Sequence, residues 1–553
     1  MRTAVHEEHT LDLSLSPRDF PYASRRMPVL APHGVVATSD PLAAQAGLRM
    51  LLAGGNAVDA AIAAATTLTV VQPWVNGIGS DAFALVWDGS KLHGLNASGR
   101  APATHTPELF AKLGHDRVPN RGWLPVTVPG APGAWRDLHK RFGRLPFEQV
   151  FEPAIDYARN GFPLGPETGF VWAQAQRSNV ENLPGPEFRG WFETFMPKGR
   201  VARPGDTWTL PDHARTLDRI AHTDADDFYR GDSAIAIAAF AKETGGYITE
   251  ADMAAHTSTW VEPICAGYRG YDVWEIPPNG QGIAALEALS ILEGFDMASK
   301  PRDSVESWHL QIEAMKLAFA DAHRYVADPD HVAVPAEGLL EAGYVAQRRA
   351  LIGEQALDPG PGDPPRGGTV YLCAADADGM MVSYIQSNYQ GFGSGVVVPG
   401  TGISLQNRGY GFSLQPGHPN LVAPRKRPYH TIIPGFLTRD GQAIGPFGVM
   451  GAEMQPQGHV QMIVNQVDHG MNPQTSLDAP RWRWTRGREV TIEPAAGRDL
   501  IAGLEARGHA VVLVDTQSQF NGNGGRGQII RRLPGGGYMA GSEPRSDGAA
   551  VGY

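Results

Sequence analysis

The sequence predicts a fold that mixes α-helices and β-strands, of the α/β or α+β class. Three observations support this prediction. Helix-like and strand-like runs alternate along the chain, 42% of its residues are hydrophobic and 19% are charged, and no repeat with a solenoid period is present. With 553 residues, the chain can bury a large core in one large domain or two closely packed ones.

The first strongly patterned region, residues 40–74, is predicted to form two helices. Gly54 and Gly55 end the first helix because glycine readily adopts the conformation that closes a helix. Asn56 follows immediately and can cap the second helix through its side-chain oxygen. An alternating run from Asp81 onwards predicts a β-hairpin with its turn at residues 88–89.

A long helix is predicted downstream of Ser304. Its large apolar residues recur at spacings of four, three and four, which places them on one face of a helix, and core packing explains the stripe fully. These residues are Trp308, Ile312, Met315 and Phe319.

Residues 354–368 form the densest proline and glycine segment and predict a linker without packed structure. Two strand-like runs follow at once, joined by a turn at residues 378–379. The carboxyl-terminal part continues with turn-rich strands and one helix around residues 459–471. A strand therefore begins directly at Thr369, with no turn or cap before it.

Composition excludes several classes of function. The formal net charge of −11 disfavours nucleic acid or an anionic membrane as the main partner. The two cysteines form no disulfide framework, and the amino-terminal residues lack the basic start and apolar run of a secretory signal. No run is apolar enough to span a bilayer. We therefore expect a cytoplasmic protein. Because no nucleotide or zinc motif occurs, we also expect no metal or organic cofactor.

Thr369 admits two interpretations. In the first, the linker simply ends where a second domain begins, and Thr369 is an ordinary strand residue. In the second, the chain is cut before Thr369 and the new amino terminus becomes a catalyst, because an α-amine beside its own hydroxyl can act as the general base. Local sequence alone leaves both interpretations open.

Several ordered blocks resemble the γ-glutamyltransferase family over most of the chain. They include GGNAVDAAIAAATTLTVVQPWVNGIGSDAFALVWDG, EAMKLAFADAHRYVADPD, TVYLCAADADG and QMIVNQVDHGMNPQTSLDAPRW. This resemblance implies a four-layer αββα amino-terminal-nucleophile hydrolase fold, built jointly by two self-cleaved fragments. Here those fragments are residues 1–368 and 369–553, which together form one intimate structural unit and an αβ heterodimer. A dimer of such heterodimers is a further option.

The resemblance also implies the catalytic residues. Cleavage falls between Gly368 and Thr369, and Thr369 then serves as nucleophile and, through its α-amine, as base. Ser387 matches the family's second hydroxyl beside the nucleophile. The family's oxyanion hole, formed by consecutive backbone N–H groups, corresponds to Gly451 and Ala452.

Departures from the family pattern bear on the substrate. The family's arginine for the glutamate α-carboxylate falls at Ser98, two residues from Arg100, and its aspartate for the α-ammonium falls at Gly411. A serine pair becomes His430 and Thr431. The loss of the ammonium partner disfavours γ-glutamyl transfer. A substrate carboxylate still needs a cation, for which Arg408, Arg100 and His430 are candidates, while Thr431 and Tyr389 complete the predicted substrate contacts; each arginine could equally belong to a structural ion pair.

We therefore expect an autoprocessed amidohydrolase acting on a small carboxylate-bearing amide and releasing ammonia. The sequence most resembles the family's subgroup that hydrolyses oxamate in purine breakdown. The alternatives are a γ-glutamyl transferase or hydrolase of glutathione-type substrates and a glutaryl or cephalosporin-type acylase. A non-catalytic binding protein that kept the fold and lost processing is the alternative from another class.

Overall fold

A computed structural model describes residues 25–359, 368–514 and 524–553. The predicted linker lies partly outside these residues, at positions 360–367, as does most of the amino-terminal segment tested for a signal. The strands of the described residues are β1 (Val29–Ala31), β2 (Val35–Thr38), β3 (Asp81–Trp87), β4 (Leu92–Ala97), β5 (Phe162–Pro163), β6 (Thr207–Trp208), β7 (Thr259–Val261), β8 (Ile264–Tyr268), β9 (Tyr271–Glu275), β10 (Gly368–Ala375), β11 (Met381–Tyr389), β12 (Val397–Val398), β13 (Ile403–Ser404), β14 (Gly435–Arg439), β15 (Gln442–Met450), β16 (Trp482–Arg486), β17 (Glu489–Ile492), β18 (Ala510–Leu513), β19 (Arg526–Arg532), β20 (Tyr538–Ser542) and β21 (Ala549–Gly552).

The helices of the same residues are α1 (Pro41–Leu52), α2 (Ala57–Val71), α3 (Pro107–Lys112), α4 (Ala131–Phe142), α5 (Phe147–Asn160), α6 (Pro166–Asn182), α7 (Arg189–Phe195), α8 (Pro211–His222), α9 (Asp226–Arg230), α10 (Asp232–Thr244), α11 (Glu250–Ala254), α12 (Gly282–Leu292), α13 (Val305–Tyr325), α14 (Ala336–Leu339), α15 (Ala342–Arg349), α16 (Met454–Val467), α17 (Pro473–Asp478) and α18 (Arg498–Ala506). Within the described residues, no helix is both long and apolar enough to cross a membrane.

Two seven-stranded antiparallel sheets form the centre of the molecule. The first sheet has the strand order β21-β2-β10-β11-β3-β4-β7, and the second has the order β1-β20-β19-β15-β14-β9-β8. The sheets pack face to face, mainly through β10 and β11 of the first against β15 and β19 of the second. Helices α1 and α2 cover the outer face of the first sheet, and α12 and α16 cover that of the second. This is the expected four-layer αββα fold.

The chain segments on either side of Thr369 are interleaved in both sheets. In the first sheet, β10 and β11 lie between β2 and β3, and in the second sheet β14 pairs with β9. Each sheet therefore needs strands from both segments to bury its apolar faces, because an isolated half-sheet would expose unpaired edges and core side chains.

The local predictions from the first 100 residues are confirmed. Asn56 caps α2 as predicted, in a reciprocal capping box with Asp59. Asp40 caps α1, a role that the sequence did not predict. The hairpin of β3 and β4 has the expected turn, with Gly89 at a φ of +101°. Every residue of α2 is buried, because the helix lies between the first sheet and α5.

The predicted long helix after Ser304 and the predicted hairpin after Thr369 are also confirmed. Helix α13 buries its apolar stripe in the core of the second half of the sandwich. Strands β10 and β11 form the predicted hairpin, with Gly379 at a φ of +88°. Strand β10 begins one residue earlier than expected, because Gly368 already pairs with Tyr389.

Candidate active site

Thr369 and Ser387 meet where β10 begins and β11 ends. The ladder register shifts between Gly368 and Val370, so that β11 holds one extra residue at this point. Such a bulge re-aims side chains next to it. The Thr369 Oγ1 and Ser387 Oγ atoms lie 3.1 Å apart, and both residues are buried. Ser387 Oγ also accepts a hydrogen bond from the Tyr389 N–H at 2.7 Å, which holds the serine hydroxyl in place.

A buried charge cluster adjoins this hydroxyl pair. Asp81, the first residue of β3, is the cross-strand partner of Ser387, so their side chains leave the same face of the sheet at neighbouring positions. The Asp81 Oδ2 atom lies 2.5 Å from His430 Nε2 and 3.6 Å from Arg408 Nε. All three side chains are fully buried.

The Arg408 guanidinium is held on three sides. Its Nη1 donates to Thr431 Oγ1 at 2.7 Å, Asp81 faces Nε, and the ring of Tyr389 lies 4.2 Å from Cζ. The Nη2 atom is buried and has no hydrogen-bond partner among the described residues. Burial lowers the pKa of Arg408, but a guanidinium keeps its charge in a protein. The cluster thus retains an unused donor for an anionic group.

His430 is neutral near pH 7. Burial, followed by the neighbouring Arg408 cation, lowers its pKa to about 4, although the Asp81 carboxylate acts in the opposite direction. The imidazole therefore donates from Nε2 to Asp81 in this state. His430 donates to Asp81, and its lowered pKa argues against it as the cation that reads a substrate carboxylate, a role that stays a prediction from the sequence.

Gly451 and Ala452 link β15 to α16 in an unusual backbone conformation. Their φ angles are +131° and +54°, and Ala452 is one of the non-glycine residues with positive φ. Neither N–H has a hydrogen-bond partner within the part of the chain that the structure describes. The Ala452 carbonyl is held by Gln281 Nε2 at 3.0 Å. Two free consecutive N–H groups at the start of a helix suit the stabilisation of an oxyanion.

Sequence reasoning missed three residues of this region. The strand pattern predicts only that a strand begins at Asp81, although a carboxylate at the start of an otherwise apolar strand is itself a signal of function. Gln281 binds the Thr431 carbonyl at 2.6 Å as well as that of Ala452, and nothing in its local sequence indicates this. Glu453 directly follows Ala452, is buried, and pairs with His323 at 3.2 Å.

The carboxylate of Glu453 faces the tyrosines of the site. Burial and then Glu453 raise the pKa of Tyr429 well above its usual range. Burial also raises the pKa of Tyr389, with Arg408 opposing and Glu453 adding to the increase. Both phenols therefore remain protonated, and Tyr429 donates its hydroxyl proton to Gln281 at 2.9 Å.

Arg100 lies apart from this cluster, and Gly411 supplies it with no carboxylate. Arg100 pairs with Asp330 at 3.1 Å and lines a cavity of about 190 Å³ with His256 and Arg425. Among the described residues, no ion pair or hydrogen bond joins the Arg100 side chain to the residues around Thr369. Gly411 ends a 3₁₀ turn that starts at Arg408, and offers a backbone carbonyl to Asn420 instead of a carboxylate.

Three described residues with side chains of the type that bind metal ions come together where α13 meets the start of β18. His309, Glu313 and His509 place one ligand atom each within 4.8 Å of one another. Glu313 already forms a 2.7 Å ion pair with the buried Lys316, and His309 Nδ1 lies 2.9 Å from His509 Nε2 in a hydrogen bond. A cation there would lie close to the Lys316 ammonium, so these residues do not fit a metal well.

Comparison of the chain with known proteins identifies its family. The family model for γ-glutamyltranspeptidase matches residues 43–553. The chain belongs to the γ-glutamyltranspeptidase family. The resemblance found in the sequence is therefore confirmed, and so is the amino-terminal-nucleophile hydrolase fold that it implied.

Members of this family similar to the chain differ in the substrates for which they are named. A cephalosporin acylase from Bacillus halodurans is 54% identical, with a TM-score of 0.94, and the match covers 98% of this chain and 99% of that one. The glutathione hydrolase-like YwrD proenzyme of Bacillus subtilis strain 168 is 37% identical over 92% of this chain and 97% of its own length. The oxamate amidohydrolase proenzyme of Klebsiella pneumoniae is 34% identical over 94% and 98%.

These relatives support a hydrolase that is made as a proenzyme and cleaves itself into two fragments. They do not agree on a substrate. Thr369 as nucleophile and the residues around it remain predictions from the sequence, to which the geometry adds a physical basis.

Proposed function

We propose that this protein is an autoprocessed amidohydrolase that uses Thr369 to cleave a carboxylate-bearing amide such as oxamate. The observation that carries the proposal is the buried pair of Thr369 and Ser387 beside Arg408, whose Nη2 has no hydrogen-bond partner among the described residues. A nucleophile and a desolvated anion-binding cation then lie at the same end of one sheet.

Processing would start from the intact Gly368–Thr369 bond. The Thr369 hydroxyl adds to the Gly368 carbonyl carbon, its proton passes to the departing Thr369 nitrogen, and the peptide becomes an ester. Water then hydrolyses this ester, which frees the Gly368 carboxylate and the Thr369 α-amine. Ser387 is placed to orient the hydroxyl before the attack, at 3.1 Å.

Turnover would use the groups that cleavage releases. The α-amine of Thr369, with a reference pKa near 8 for such groups, takes the hydroxyl proton as Oγ1 attacks the substrate carbonyl. The N–H groups of Gly451 and Ala452 stabilise the resulting oxyanion. The amine passes its proton to the leaving nitrogen, ammonia or an amine departs, and water hydrolyses the acyl ester to regenerate Thr369.

The charge balance of the cluster favours a substrate with a carboxylate. Arg408 is the buried cation, and Asp81 compensates it only at 3.6 Å while accepting from His430. A substrate carboxylate can accept from Arg408 Nη2, and both oxamate and a glutaryl amide carry such a group. The similarity to a cephalosporin acylase favours testing the longer acyl group beside the short one.

A panel of amides on processed protein tests this proposal. We expect the highest kcat/KM for oxamate or a glutaryl anilide, and lower values for γ-glutamyl-p-nitroanilide and for the uncharged butyryl anilide. Equal rates on butyryl and glutaryl anilides would exclude a carboxylate-reading site.

Thr369→Ala should remain a single chain on a denaturing gel and show no amidase activity. An active Thr369→Ala protein would refute the proposal that Thr369 is the nucleophile.

A γ-glutamyl hydrolase is the second candidate, and Glu453 favours it. Gly411 supplies no carboxylate, and Asp81 is already engaged by His430 and Arg408. Glu453 directly follows Gly451 and Ala452 and is buried; its Oε1 atom pairs with His323, and its Oε2 atom would accept from the substrate ammonium. In that case Glu453→Gln should lower kcat/KM for γ-glutamyl-p-nitroanilide far more than for the glutaryl anilide, which lacks the ammonium. An equal effect on both substrates would remove this candidate.

A further inference from the structure

A second cavity, of about 520 Å³, opens where helices α1 and α6 begin. The carboxyl end of α17 and the loop between β20 and β21 close its other sides. Neither Thr369 nor any of the predicted substrate contacts lines it. Its volume is that of a site for a small molecule.

Carboxyl groups dominate the polar lining of this cavity. Asp40, Glu167, Asp478 and Asp547 line it together with one cation, Arg26. The Arg26 guanidinium donates to the carbonyls of residues 543 and 548 at 3.0 and 2.9 Å, so its hydrogen bonds are directed to the backbone. Four carboxyl groups of the lining therefore share one cationic side chain of the lining.

Two of these carboxylates also have structural roles. Asp40 accepts from the Leu42 N–H at the start of α1. Asp547 accepts from the N–H groups of Glu167 and Thr168 at the start of α6, at 3.0 and 3.1 Å. Capping explains why these two acids are tolerated, but it does not explain Glu167 and Asp478.

Glu167 is the feature that points to a ligand. It is 2% exposed, and its Oε1 atom pairs with Arg526 on β19. Its Oε2 atom is buried and has no hydrogen-bond partner among the described residues. A buried carboxylate oxygen without a donor is unfavourable, and a bound donor would relieve this cost.

The remaining walls are apolar. They are formed by Pro41, Leu42, Pro163, Leu164, Pro166 and Pro544. We propose that this cavity binds a small organic cation, a primary ammonium on a short aliphatic body. The ammonium donates to Glu167 Oε2 and to the neighbouring carboxylates, and the body packs against the prolines and leucines. A hydrated metal ion would leave these apolar walls without a partner.

The titration of the acids gives the site a pH dependence. Burial, followed by Asp547, raises the pKa of Asp40 to about 7. Burial raises the pKa of Glu167 to about 8, with Arg526 opposing and Asp547 adding to the increase. The other charged groups of the lining are Arg26 and Asp478, and burial also raises the pKa of Asp478. A cation binds the ionised acids, and an alkylammonium stays charged up to a pH near 10. Affinity should therefore rise between pH 6 and pH 9.

Isothermal titration calorimetry with n-butylammonium chloride on the processed, full-length protein tests this inference. At pH 8.5 we expect saturable binding to one site, with affinity at least about tenfold weaker at pH 6, in line with the ionisation of two acids. The uncharged 1-butanol and the anion butyrate should not bind with measurable affinity. Binding is read without any activity measurement, so the result stands apart from the proposed amidase function.

Variants locate the site. Leu42→Trp fills the cavity beside the start of α1 and should abolish butylammonium binding, and Asp478→Asn at the exposed edge should weaken it severalfold. Glu167→Gln removes the charge of this side chain and should abolish butylammonium binding. Asp440→Asn, on a residue whose side chain is 88% exposed in another part of the surface, is the matched control and should bind like the parent. Absence of butylammonium binding at pH 8.5, or unchanged binding in both Leu42→Trp and Asp478→Asn, would overturn the proposal.

Discussion

Asp81 determines the electrostatic character of the site at the scale of single residues. It lies opposite Ser387 on the neighbouring strand, accepts from His430 at 2.5 Å and faces Arg408 at 3.6 Å. One carboxylate thus fixes an imidazole and a guanidinium beside the predicted nucleophile. Because the three side chains are fully buried, removing one of them changes the charge seen by the other two.

Arg408→Met should lower kcat/KM for a carboxylate-bearing amide by roughly two to four orders of magnitude, since breaking a buried ion pair costs about 3–5 kcal/mol. Initial rates on oxamate and glutaryl anilide measure the effect. Cleavage before Thr369 should continue, because processing does not use a substrate carboxylate. Arg100→Met, at a residue paired with Asp330, should remain close to the parent enzyme.

A double variant separates substrate binding from fold stability. Arg408→Met alone leaves the Asp81 carboxylate buried without its cation, whereas Arg408→Met with Asp81→Asn removes both charges. The double variant should recover much of the lost free energy of unfolding and still lack activity on carboxylate-bearing amides. If it recovers activity as well, Arg408 acts only as the structural partner of Asp81. A large loss in Arg100→Met with a near-normal Arg408→Met would instead exchange the two arginines' roles.

At the scale of elements, the loop of Gly451 and Ala452, which we propose as the oxyanion hole, has a strained backbone. Strand β15 and helix α16 are joined by residues that both have positive φ, and only the first of them is a glycine. An alanine in this region costs about 1–2 kcal/mol relative to an ordinary conformation. The cost is compatible with a site where two N–H groups must point the same way.

Substitutions in this loop should have opposite effects. Ala452→Gly should keep kcat close to that of the parent, because the N–H remains, and raise the free energy of unfolding by up to about 1 kcal/mol. Gly451→Ala forces a side chain onto a φ of +131°, so the backbone should shift and turn the N–H away from the oxyanion. We expect kcat to fall by about 10²–10³, as it does when an oxyanion donor is lost. Steady-state kinetics and denaturant titration measure both. An unaffected kcat in Gly451→Ala would exclude this loop as the oxyanion hole.

Helix α8 carries a buried histidine that makes stability depend on pH. His213 is fully buried, and burial lowers its pKa to about 3. The unfolded chain takes up a proton near pH 6.5 and the folded chain does not, so the stability contribution is present above pH 6.5 and is lost as pH falls towards 3. Between pH 8 and pH 5, the parent should lose about 2 kcal/mol relative to His213→Leu. Denaturant unfolding of both proteins at the two pH values measures this difference, and an equal change in both would contradict it.

At the scale of the whole molecule, the interleaved sheets predict how the fragments behave. Cleavage before Thr369 should give pieces of 368 and 185 residues, and the smaller should begin Thr-Val-Tyr-Leu. Each sheet contains strands from both pieces, so the fragments should elute together in native buffer and separate only in denaturant. Intact mass and amino-terminal sequencing check the cleavage position. A different amino terminus, or fragments that separate without denaturant, would contradict the prediction.

Local sequence by itself determined the elements whose signals are local. The capping residue Asn56, the glycine at the hairpin turn of β3 and β4, and the apolar stripe of α13 each depend on neighbours within a few positions. The ordered family motifs also assigned the catalytic roles of Thr369, Ser387 and the pair Gly451 and Ala452, and these roles stay predictions; the structure shows Thr369 near the start of β10 and Ser387 near the end of β11.

Only the tertiary structure decided which distant residues share the site and what charge they carry. Asp81 meets His430 across 349 positions, and Gln281 reaches both Thr431 and Ala452. Arg100 and Arg408 look alike as candidates in the sequence, yet one pairs with Asp330 near the surface and the other is fully buried. The physical reason is that burial and long-range pairing set the charge and pKa of a group, and neither is encoded by its sequence neighbours.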